Sequence, residues 1–537
     1  MFVRRLSVSV AIVLACPVAG VNAADTGATA CRTTVECAAM ATQAGTSISS
    51  AFLPATSQQD QREDRFYWVS QINKASAVML VEEGIVTPAL GTRIAEGVAF
   101  SIEQADTPDG KRPSDVLQIE RIITERAGPE ASRIHTGRSR QDIHATFNAA
   151  KLRTQVLDYA TALNQTRARL LAIAGQHVHT LVPAYTNGVQ AMPISYAHYL
   201  LAYAASFERD GKRLREGYAR LNLSAMGTAV LSNSSWPLNR QRMADLLGFD
   251  GLVENALDAG QVTPYDVPLE VVNLVASTAI RVGAVIGDIH TQYHQTRPWM
   301  LLDEGATYTS SAMPQKRNPG ILMRVRETSS DVVGLAHTVA LRAHNVTTGM
   351  TDYKAAWQSL GVLPAAVDMH KDFDRVLDAL RIDVRRAQEE LDADWTTSME
   401  LADILQRTDD VPFRVGHGYA SAIVTHARAH ALGPKDFPYE VAVKLFAEVA
   451  TQYRLKQTQL PLSEPQFRAA LSPRAMVDNR VGTGGPQSAE VERMLAEAKR
   501  KLAADESWVK DSRRKIGDAR VKLDAAFERL SGVEKRK

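Results

Sequence analysis

Four long runs of apolar residues at helical spacing constrain the fold of this chain more than any other feature of its sequence. In each run, apolar side chains recur every three or four residues, which is the pattern of an amphipathic helix. The runs lie near residues 143–173, 194–207, 271–289 and 321–339. A run of about thirty residues forms a helix of roughly 45 Å, and such a helix needs partners along its whole length. No alternating strand pattern competes, so the sequence predicts an all-α fold built around a long helical bundle.

The first 23 residues have the features of a secretory signal peptide. Arg4 and Arg5 precede an apolar run over residues 6–15, and small residues up to Ala23 follow it. Because this run is too short to span a membrane, we expect a cleaved product that is periplasmic or secreted, without a stable membrane span. Two alternatives are a twin-arginine signal and a lipoprotein anchored through Cys16.

Only three cysteines occur in the chain. Cleavage after residue 23 leaves Cys31 and Cys37, and two nearby cysteines in an exported chain indicate a disulfide. The alternative is a pair of free thiols in the segment at residues 24–61, which is rich in Ala, Thr, Ser and Gln.

Charge and motifs limit the partners that this chain can have. The net charge of +2 and the 23% of charged residues do not indicate a polyanionic partner such as nucleic acid. The sequence has no Gly-rich phosphate loop. His290 and His294 have the spacing of one helix face but lack the Glu of a zinc-protease motif. We therefore expect a small-molecule partner and no metal or other cofactor.

The polar segment TSSAMPQKRNP, at residues 309–319, combines a hydroxyl, a cation and an amide within a few positions. Lys316 can hold a carboxylate as a point charge, and Asn318 can hold one as a donor. A helix is predicted to have Pro319 in its first turn, and a helix N-terminus beside a lysine favours anions. The alternative interpretation is an ordinary polar loop before a helix.

Three segments of the chain resemble the signatures of the argininosuccinate lyases, which belong to the fumarase/aspartase (fumarate lyase) superfamily. TSSAMPQKRNP resembles the superfamily loop GSSxMPxKxN. IHTGRSRQD, at residues 134–142, resembles the HTGRSRND stretch, and PAYTNGVQAMP, at residues 183–193, resembles PGYTHxQxAQP. The resemblance extends over roughly residues 66–498. It implies smaller N- and C-terminal helical domains beside the bundle, and a homotetramer whose active sites combine the three segments from different subunits.

The resemblance implies a carbon–nitrogen lyase that eliminates an amine from argininosuccinate, or from a related N-substituted aspartate, and releases a dicarboxylate, fumarate. The carbanion intermediate spreads its charge into a carboxylate, so it needs preorganised cations and donors. By resemblance, Ser310 is the base, and Lys316 stabilises its alkoxide. The implied catalytic residues are Ser310, Lys316, Thr186 and Asn187, and the implied substrate-binding residues are Ser139, Arg140, Gln141, Gln315 and Asn318.

The chain also departs from the family pattern at positions near the leaving amine. Asn187 stands where the family has His, Met323 stands where it has the Glu that orients that His, and Gln141 stands where it has Asn. The segment that carries Asp352, Lys354 and Trp357 also fits the family poorly. Two function classes remain open: an exported lyase acting on an N-substituted aspartate, and a catalytically impaired relative that is a binding or structural protein.

Changes of pattern divide the chain into segments. The predicted divisions are a signal peptide at 1–23, an extension at 24–61, an N-terminal helical domain at 62–142, a central bundle at 143–394, a C-terminal helical domain at 395–494 and a tail at 495–537. In the tail, apolar residues from Leu495 to Leu530 recur at seven-residue spacing, which is a heptad seam. This seam either pairs with another copy of the chain or folds back on its own subunit.

Overall fold

The computed structural model describes residues 63–107, 109–344, 347–349 and 361–532. The predicted signal peptide, the predicted disulfide and the segment with Asp352, Lys354 and Trp357 lie outside the described residues.

Three helices and a 3₁₀ turn begin the described chain: α1 (Arg65–Glu82), α2 (Pro88–Ala105), α3 (Val116–Ala127) and the 3₁₀ helix Pro129–His135. Side chains of Asp64, Thr87 and Asp115 accept hydrogen bonds from backbone N–H groups in the first turns of α1, α2 and α3. These caps satisfy donors that have no partner inside a helix, so they define where each helix begins.

The chain then builds the bundle and the elements around it. In order, these are α4 (Arg140–Gln176), β1 (Leu181–Thr186), β2 (Val189–Ser195), α5 (Tyr196–Leu221), β3 (Leu223–Ser224), α6 (Arg240–Leu246), β4 (Gly251–Leu252), α7 (Ala256–Gln261), α8 (Thr263–Tyr293), β5 (Met300–Leu302), the 3₁₀ helix Glu304–Ala306, β6 (Tyr308–Thr309), β7 (Arg317–Asn318), α9 (Gly320–Ala343), α10 (Val362–Ala379), β8 (Leu380–Ile382) and α11 (Val384–Ala393).

Helices α4, α5, α8, α9 and α10 pack side by side around one apolar core. Buried side chains of α8 recur at helical spacing, for example Val271, Val275, Val282 and Ile286. The predicted all-α bundle is confirmed. Helix α8 is also long and apolar enough to cross a membrane by length and composition. Its packing against α9 and α5 is that of a core helix.

The strands are short and form two-stranded pairs within the described residues. The longest pair is the antiparallel hairpin β1–β2. Its two-residue turn is Asn187-Gly188, with φ of 51° and 76°. Asn-Gly is the favoured sequence for a turn that needs positive φ at both positions. The second predicted helical run, at residues 194–207, therefore starts slightly too early: Ile194 lies in β2, and the helix begins at Tyr196.

The last part of the chain contains α12 (Ser398–Asp409), α13 (Phe413–Ala429), the 3₁₀ helix Pro434–Asp436, α14 (Tyr439–Gln452), α15 (Glu464–Ala470), α16 (Pro473–Asp478) and α17 (Ser488–Ser531). Helices α12 to α15 surround a separate apolar cluster that includes Tyr419, Phe446 and Phe467. The domain boundaries drawn from the sequence stay predictions.

The heptad tail folds back on its own subunit. Helix α17 runs along α4, α5, α1 and α2, and Leu495, Leu502, Val509 and Leu523 of its seam are buried there. Asp505 of α17 forms a salt bridge of 2.6 Å with Arg167, whose side chain is 2% exposed. Of the two alternatives for the seam, the described chain supports the intrasubunit one.

Candidate active site

The HTGRSRQD segment forms the turn that leads into α4. Ser139 is the N-cap of this helix, and its Oγ accepts a hydrogen bond of 3.1 Å from the backbone N–H of Gln141. Asp142 completes a capping box because its carboxylate accepts from the backbone N–H of Ser139 at 2.7 Å. This geometry leaves Arg140 exposed and Gln141 half-buried at the start of a 37-residue helix.

The two arginines of this turn differ in their surroundings. Arg138 is buried and donates hydrogen bonds to Asn73 Oδ1 at 2.8 Å and to Ser76 Oγ at 3.3 Å. Burial lowers the pKa of its guanidinium to about 10. Arg140 instead extends outward and lies 3.8 Å from the carboxylate of Asp115. Arg138 therefore anchors the turn, whereas Arg140 is accessible to a ligand.

Thr186 and Asn187 lie at the tip of the β1–β2 hairpin, and both are exposed. The left-handed backbone of Asn187 gives this residue a structural role in the turn, independent of any chemistry. Below the tip, Gln190 Nε2 donates to the backbone carbonyl of Glu390 at 3.1 Å, which ties the hairpin to α11. This hydrogen bond fixes the base of the exposed hairpin tip against α11.

The TSSAMPQKRNP segment is a loop closed by pairing of β6 with β7, in which Thr309 faces Arg317. Ser310 Oγ accepts hydrogen bonds from the backbone N–H groups of Ala312 and Met313 at 3.3 and 3.2 Å. Asn318 Nδ2 donates to the carbonyl of Tyr308 at 3.1 Å.

Gln315 and Lys316 are exposed at the other side of this loop. Tyr293 at the end of α8 donates to the carbonyl of Arg317 at 3.0 Å, which holds the base of the loop against the bundle. The loop thus presents the Ser310 hydroxyl and the Lys316 ammonium group from a short, closed frame, while the amide of Asn318 helps to close it. Pro319 is the N-cap of α9, so the predicted helix start is confirmed within one residue.

These segments lie at opposite ends of the bundle in one chain. The 37 residues of α4 span about 54 Å. Ser139 is at its first end, and the hairpin follows its last residue, Gln176, after four residues. The TSSAMPQKRNP loop lies at the hairpin end, since Trp299 just before β5 packs edge-on against Tyr196 just after β2, with ring centroids 6.3 Å apart. One chain therefore separates Ser139, Arg140 and Gln141 from the other candidate residues.

Asp142 organises the Ser139 turn and is not among the candidate residues identified from the sequence. Its second carboxylate oxygen accepts from the backbone N–H groups of Gly227 and Thr228 at 3.0 and 3.1 Å. The signal was present in the sequence, because Ser-x-x-Asp before an apolar run is a capping box. Burial raises the pKa of the Asp142 carboxyl, while these N–H groups and Arg138 act in the opposite direction.

The chain is similar in sequence to known lyases. A family model described as Lyase matches residues 96–334. An argininosuccinate lyase of Geobacillus thermodenitrificans is 30% identical over 438 residues, which cover 80% of this chain and 91% of the relative. An argininosuccinate lyase of Methanocaldococcus jannaschii is 30% identical over 461 residues, covering 82% and 90% of the two chains.

Solved structures show the same fold. The crystal structure of EDDS lyase in complex with formate matches with a TM-score of 0.76 and 27% identity, over 88% of this chain and 93% of that chain. A 3-carboxy-cis,cis-muconate lactonizing enzyme from Pseudomonas putida matches with a TM-score of 0.60 and 18% identity, over 81% and 95% of the chains, which shows likeness of fold alone. The chain therefore belongs to the fumarate lyase superfamily, as an argininosuccinate lyase-like carbon–nitrogen lyase.

Proposed function

We propose that this enzyme releases fumarate from an N-substituted aspartate by anti elimination, with Ser310 as the base. The observation that carries the proposal is the closed TSSAMPQKRNP loop, because pairing of β6 with β7 brings Ser310 and Lys316 onto one short frame. The EDDS lyase and argininosuccinate lyase relatives support this class of reaction.

In the proposed reaction, Ser310 removes a proton beside a substrate carboxylate and Lys316 stabilises the charge that develops. The resulting carbanion spreads its charge into that carboxylate, and the carbon–nitrogen bond then breaks to release the amine and fumarate. Serine has a high pKa, so it needs a cation and backbone donors to act as a base. The N–H groups of Ala312 and Met313, which already point at Ser310 Oγ, can stabilise a developing alkoxide.

The remaining contacts are proposed to come from other copies of the chain. About 54 Å of helix α4 separates the Ser139 turn from the hairpin end of the same subunit, where the Ser310 loop also lies. No single substrate of this class spans that distance. A complete site therefore requires subunits that bring opposite ends together, with Ser139, Arg140 and Gln141 from one copy and Thr186 from another.

An apolar groove along the bundle supports assembly into a homotetramer. Helices α8 and α9 enclose a groove of about 790 Å³, and Ile280 and Met323 beside it are 62% and 50% exposed. Glycines at positions 283, 287 and 334 line this groove and allow close approach of another helix. A long, exposed apolar groove of this kind is typical of an interface.

We propose that argininosuccinate itself is a poor substrate. Asn187 occupies a hairpin turn, and Met323 is an exposed apolar side chain, so neither position offers the His and Glu that assist departure of the amine in the family. The same two residues favour the alternative function, a catalytically impaired binding protein.

A substrate screen distinguishes these functions. Purified enzyme is incubated with argininosuccinate and a panel of N-substituted aspartates, and fumarate is measured by chromatography. We expect release from at least one N-substituted aspartate and slower release from argininosuccinate. Binding of these compounds without fumarate release by any of them would favour the binding-protein alternative and contradict the proposed lyase.

We further propose that the chain is exported, with removal of about 23 residues and a disulfide between Cys31 and Cys37. The charged and apolar pattern of residues 1–23 supports export. Intact-mass measurement of the exported protein, with and without reduction, tests both points. A mature chain that retains Met1, or that carries a lipid on Cys16, would contradict the proposal.

A further inference from the structure

A second cavity lies between the tail helix and the body of the subunit, and none of the candidate active-site residues lines it. Its volume is about 210 Å³, and it is bounded by α1, α4, the end of α6 and α17. This is smaller than the ~300–1,000 Å³ of pockets that enclose drug-sized ligands, so it suits a small metabolite. Its walls are mainly apolar and include Trp68, Leu157, Leu246, Leu247, Ile516 and Leu523.

Arg153 of α4 lines this cavity and carries a buried charge without a carboxylate partner. Its side chain is fully buried. The guanidinium donates only to neutral oxygens: Asn222 Oδ1 at 2.8 Å, and the carbonyls of Gly248 at 2.8 Å and Leu247 at 2.7 Å. It also stacks 4.2 Å from the ring centroid of Phe249. Within the described residues no carboxylate forms a salt bridge with it, and the carboxylates of Asp250 and Glu63 favour its charged form only at longer range. A buried charge without a counter-ion in direct contact is costly.

Three buried polar atoms around the cavity have no hydrogen-bond partner in the described part of the chain. They are Arg153 Nε, Trp68 Nε1 and Gln71 Oε1. Two of these three are donors, and buried donors in native proteins are nearly always satisfied by protein, water or ligand. Two further cations of α17 line the cavity: Arg520 beside Tyr67, and Arg513, which forms a 2.6 Å salt bridge with Asp158. The carboxylate of Glu63 also lines the cavity. A buried cation without a carboxylate in contact, two unpaired donors and apolar walls thus meet in one small space.

We propose that this cavity binds a small organic monocarboxylate with an apolar body. The carboxylate supplies a counter-charge in direct contact with Arg153 and acceptor oxygens for the unpaired donors of Arg153 and Trp68, and the apolar body fills the space among the leucines and Ile516. A dicarboxylate such as fumarate is excluded from this class, because it has no apolar body and would bring a second charge against the apolar walls. The site is independent of the proposed lyase reaction.

Binding is tested by isothermal titration calorimetry on the full chain, with hexanoate and phenylacetate as probes. Hexanamide and phenylacetamide are the matched neutral probes, and fumarate is the dicarboxylate control. We expect one site per subunit, with each acid bound at least about tenfold more tightly than its amide, since charge-assisted hydrogen bonds exceed neutral ones.

A pair of variants at Gly517 locates the site. This glycine of α17 lines the cavity, and a Cβ added to it meets no atom within 4 Å. Gly517→Leu projects a large side chain beside the cavity and is expected to weaken acid binding at least about tenfold, whereas Gly517→Ala retains it. Both variants should fold, as checked by circular dichroism, and should release fumarate at the wild-type rate.

Three results would overturn the proposal. The first is equal affinity for each acid and its amide. The second is wild-type affinity in folded Gly517→Leu. The third is the absence of measurable heat for either acid at millimolar concentration. Because the fumarate assay is read separately, none of these results depends on whether the proposed lyase function is correct.

Discussion

The carboxylate of Asp142 accepts hydrogen bonds from both the backbone N–H and the hydroxyl of Ser139, at 2.7 and 3.2 Å. Its other oxygen accepts from the backbone N–H groups of Gly227 and Thr228. One buried carboxylate therefore joins the turn before α4 to the loop after β3. Asp142 can therefore affect the site without contacting substrate, because it holds the turn from which the side chains of Arg140 and Gln141 extend.

We predict that Asp142→Asn destabilises the protein and weakens substrate binding. The amide has one acceptor oxygen, so its NH₂ group faces N–H donors on one side and leaves them unpaired. We expect a loss of about 1–3 kcal/mol in the free energy of unfolding and a raised KM for fumarate release. Denaturant unfolding and steady-state kinetics measure the two effects. Asp158→Asn, at an exposed salt bridge, is the control and should change stability by less than about 1 kcal/mol.

We predict that Ser310→Ala abolishes fumarate release while substrate binding persists through Lys316 and Asn318. A positioned base contributes roughly 10²–10⁴-fold, so kcat should fall by that order. Ser311→Ala is the matched control, since this neighbouring serine is exposed on the same loop, and the variant should retain most of the activity. Single-turnover kinetics and calorimetric titration separate chemistry from binding. Near-normal kcat in Ser310→Ala would exclude it as the base.

The paired departures at Asn187 and Met323 lead to a prediction about argininosuccinate turnover. Asn187→His alone should not create activity, because Met323 cannot orient the ring. Asn187→His with Met323→Glu should exceed the product of the single effects, since coupled residues are non-additive. Histidine tolerates a left-handed backbone better than most residues, so the hairpin turn should persist. Strictly additive effects on kcat/KM would show that the two positions are unrelated.

We predict that Asp505→Ala destabilises the tail helix and the bundle together. Arg167 is 2% exposed, and removal of Asp505 leaves its charge without the 2.6 Å salt bridge. Loss of one partner from a buried pair costs about 3–5 kcal/mol, and the partial exposure of Asp505 places the expected value near the lower limit. Asp511→Ala, on the exposed side of the same helix, is the control. Thermal unfolding that shows the same small effect for both variants would contradict this role of the tail.

The long helices were predictable because their apolar periodicity is maintained over many turns, as in α4 and α8. The surface against which the tail helix packs was not predictable, because a heptad seam such as Leu495 to Leu523 can pack either on another copy of the chain or on its own subunit. The β1–β2 hairpin was missed although Asn187-Gly188 carried its signal, because the flanking residues do not alternate between apolar and polar. The resemblance identifies Asn187 as a candidate catalytic residue at the position where the family has His. The structure adds that its left-handed backbone forms the hairpin turn.

The sequence predicted which segments carry the candidate site, but it did not predict how these segments are positioned relative to one another in space. Motif order along the chain identifies Ser139, Thr186 and Ser310, and the helix predicted near residues 143–173 separates the first two by its length. The sequence does not show that the Ser310 loop lies at the hairpin end of that helix. Similarly, the hydrogen bond from Asn318 to the carbonyl of Tyr308 arises from pairing of two-residue strands, which are too short to leave a sequence pattern.

We propose that a complete active site combines opposite ends of different subunits, and a subunit-mixing experiment tests this composite site. Arg140→Ala and Ser310→Ala are each expected to be inactive, and the two are co-refolded at equal amounts. Random assembly should give sites with both wild-type residues about one time in four, so the mixture should recover about a quarter of wild-type fumarate release. A mixture that forms mixed oligomers but remains as inactive as each variant alone would show that Arg140 and Ser310 do not come from different subunits in one site.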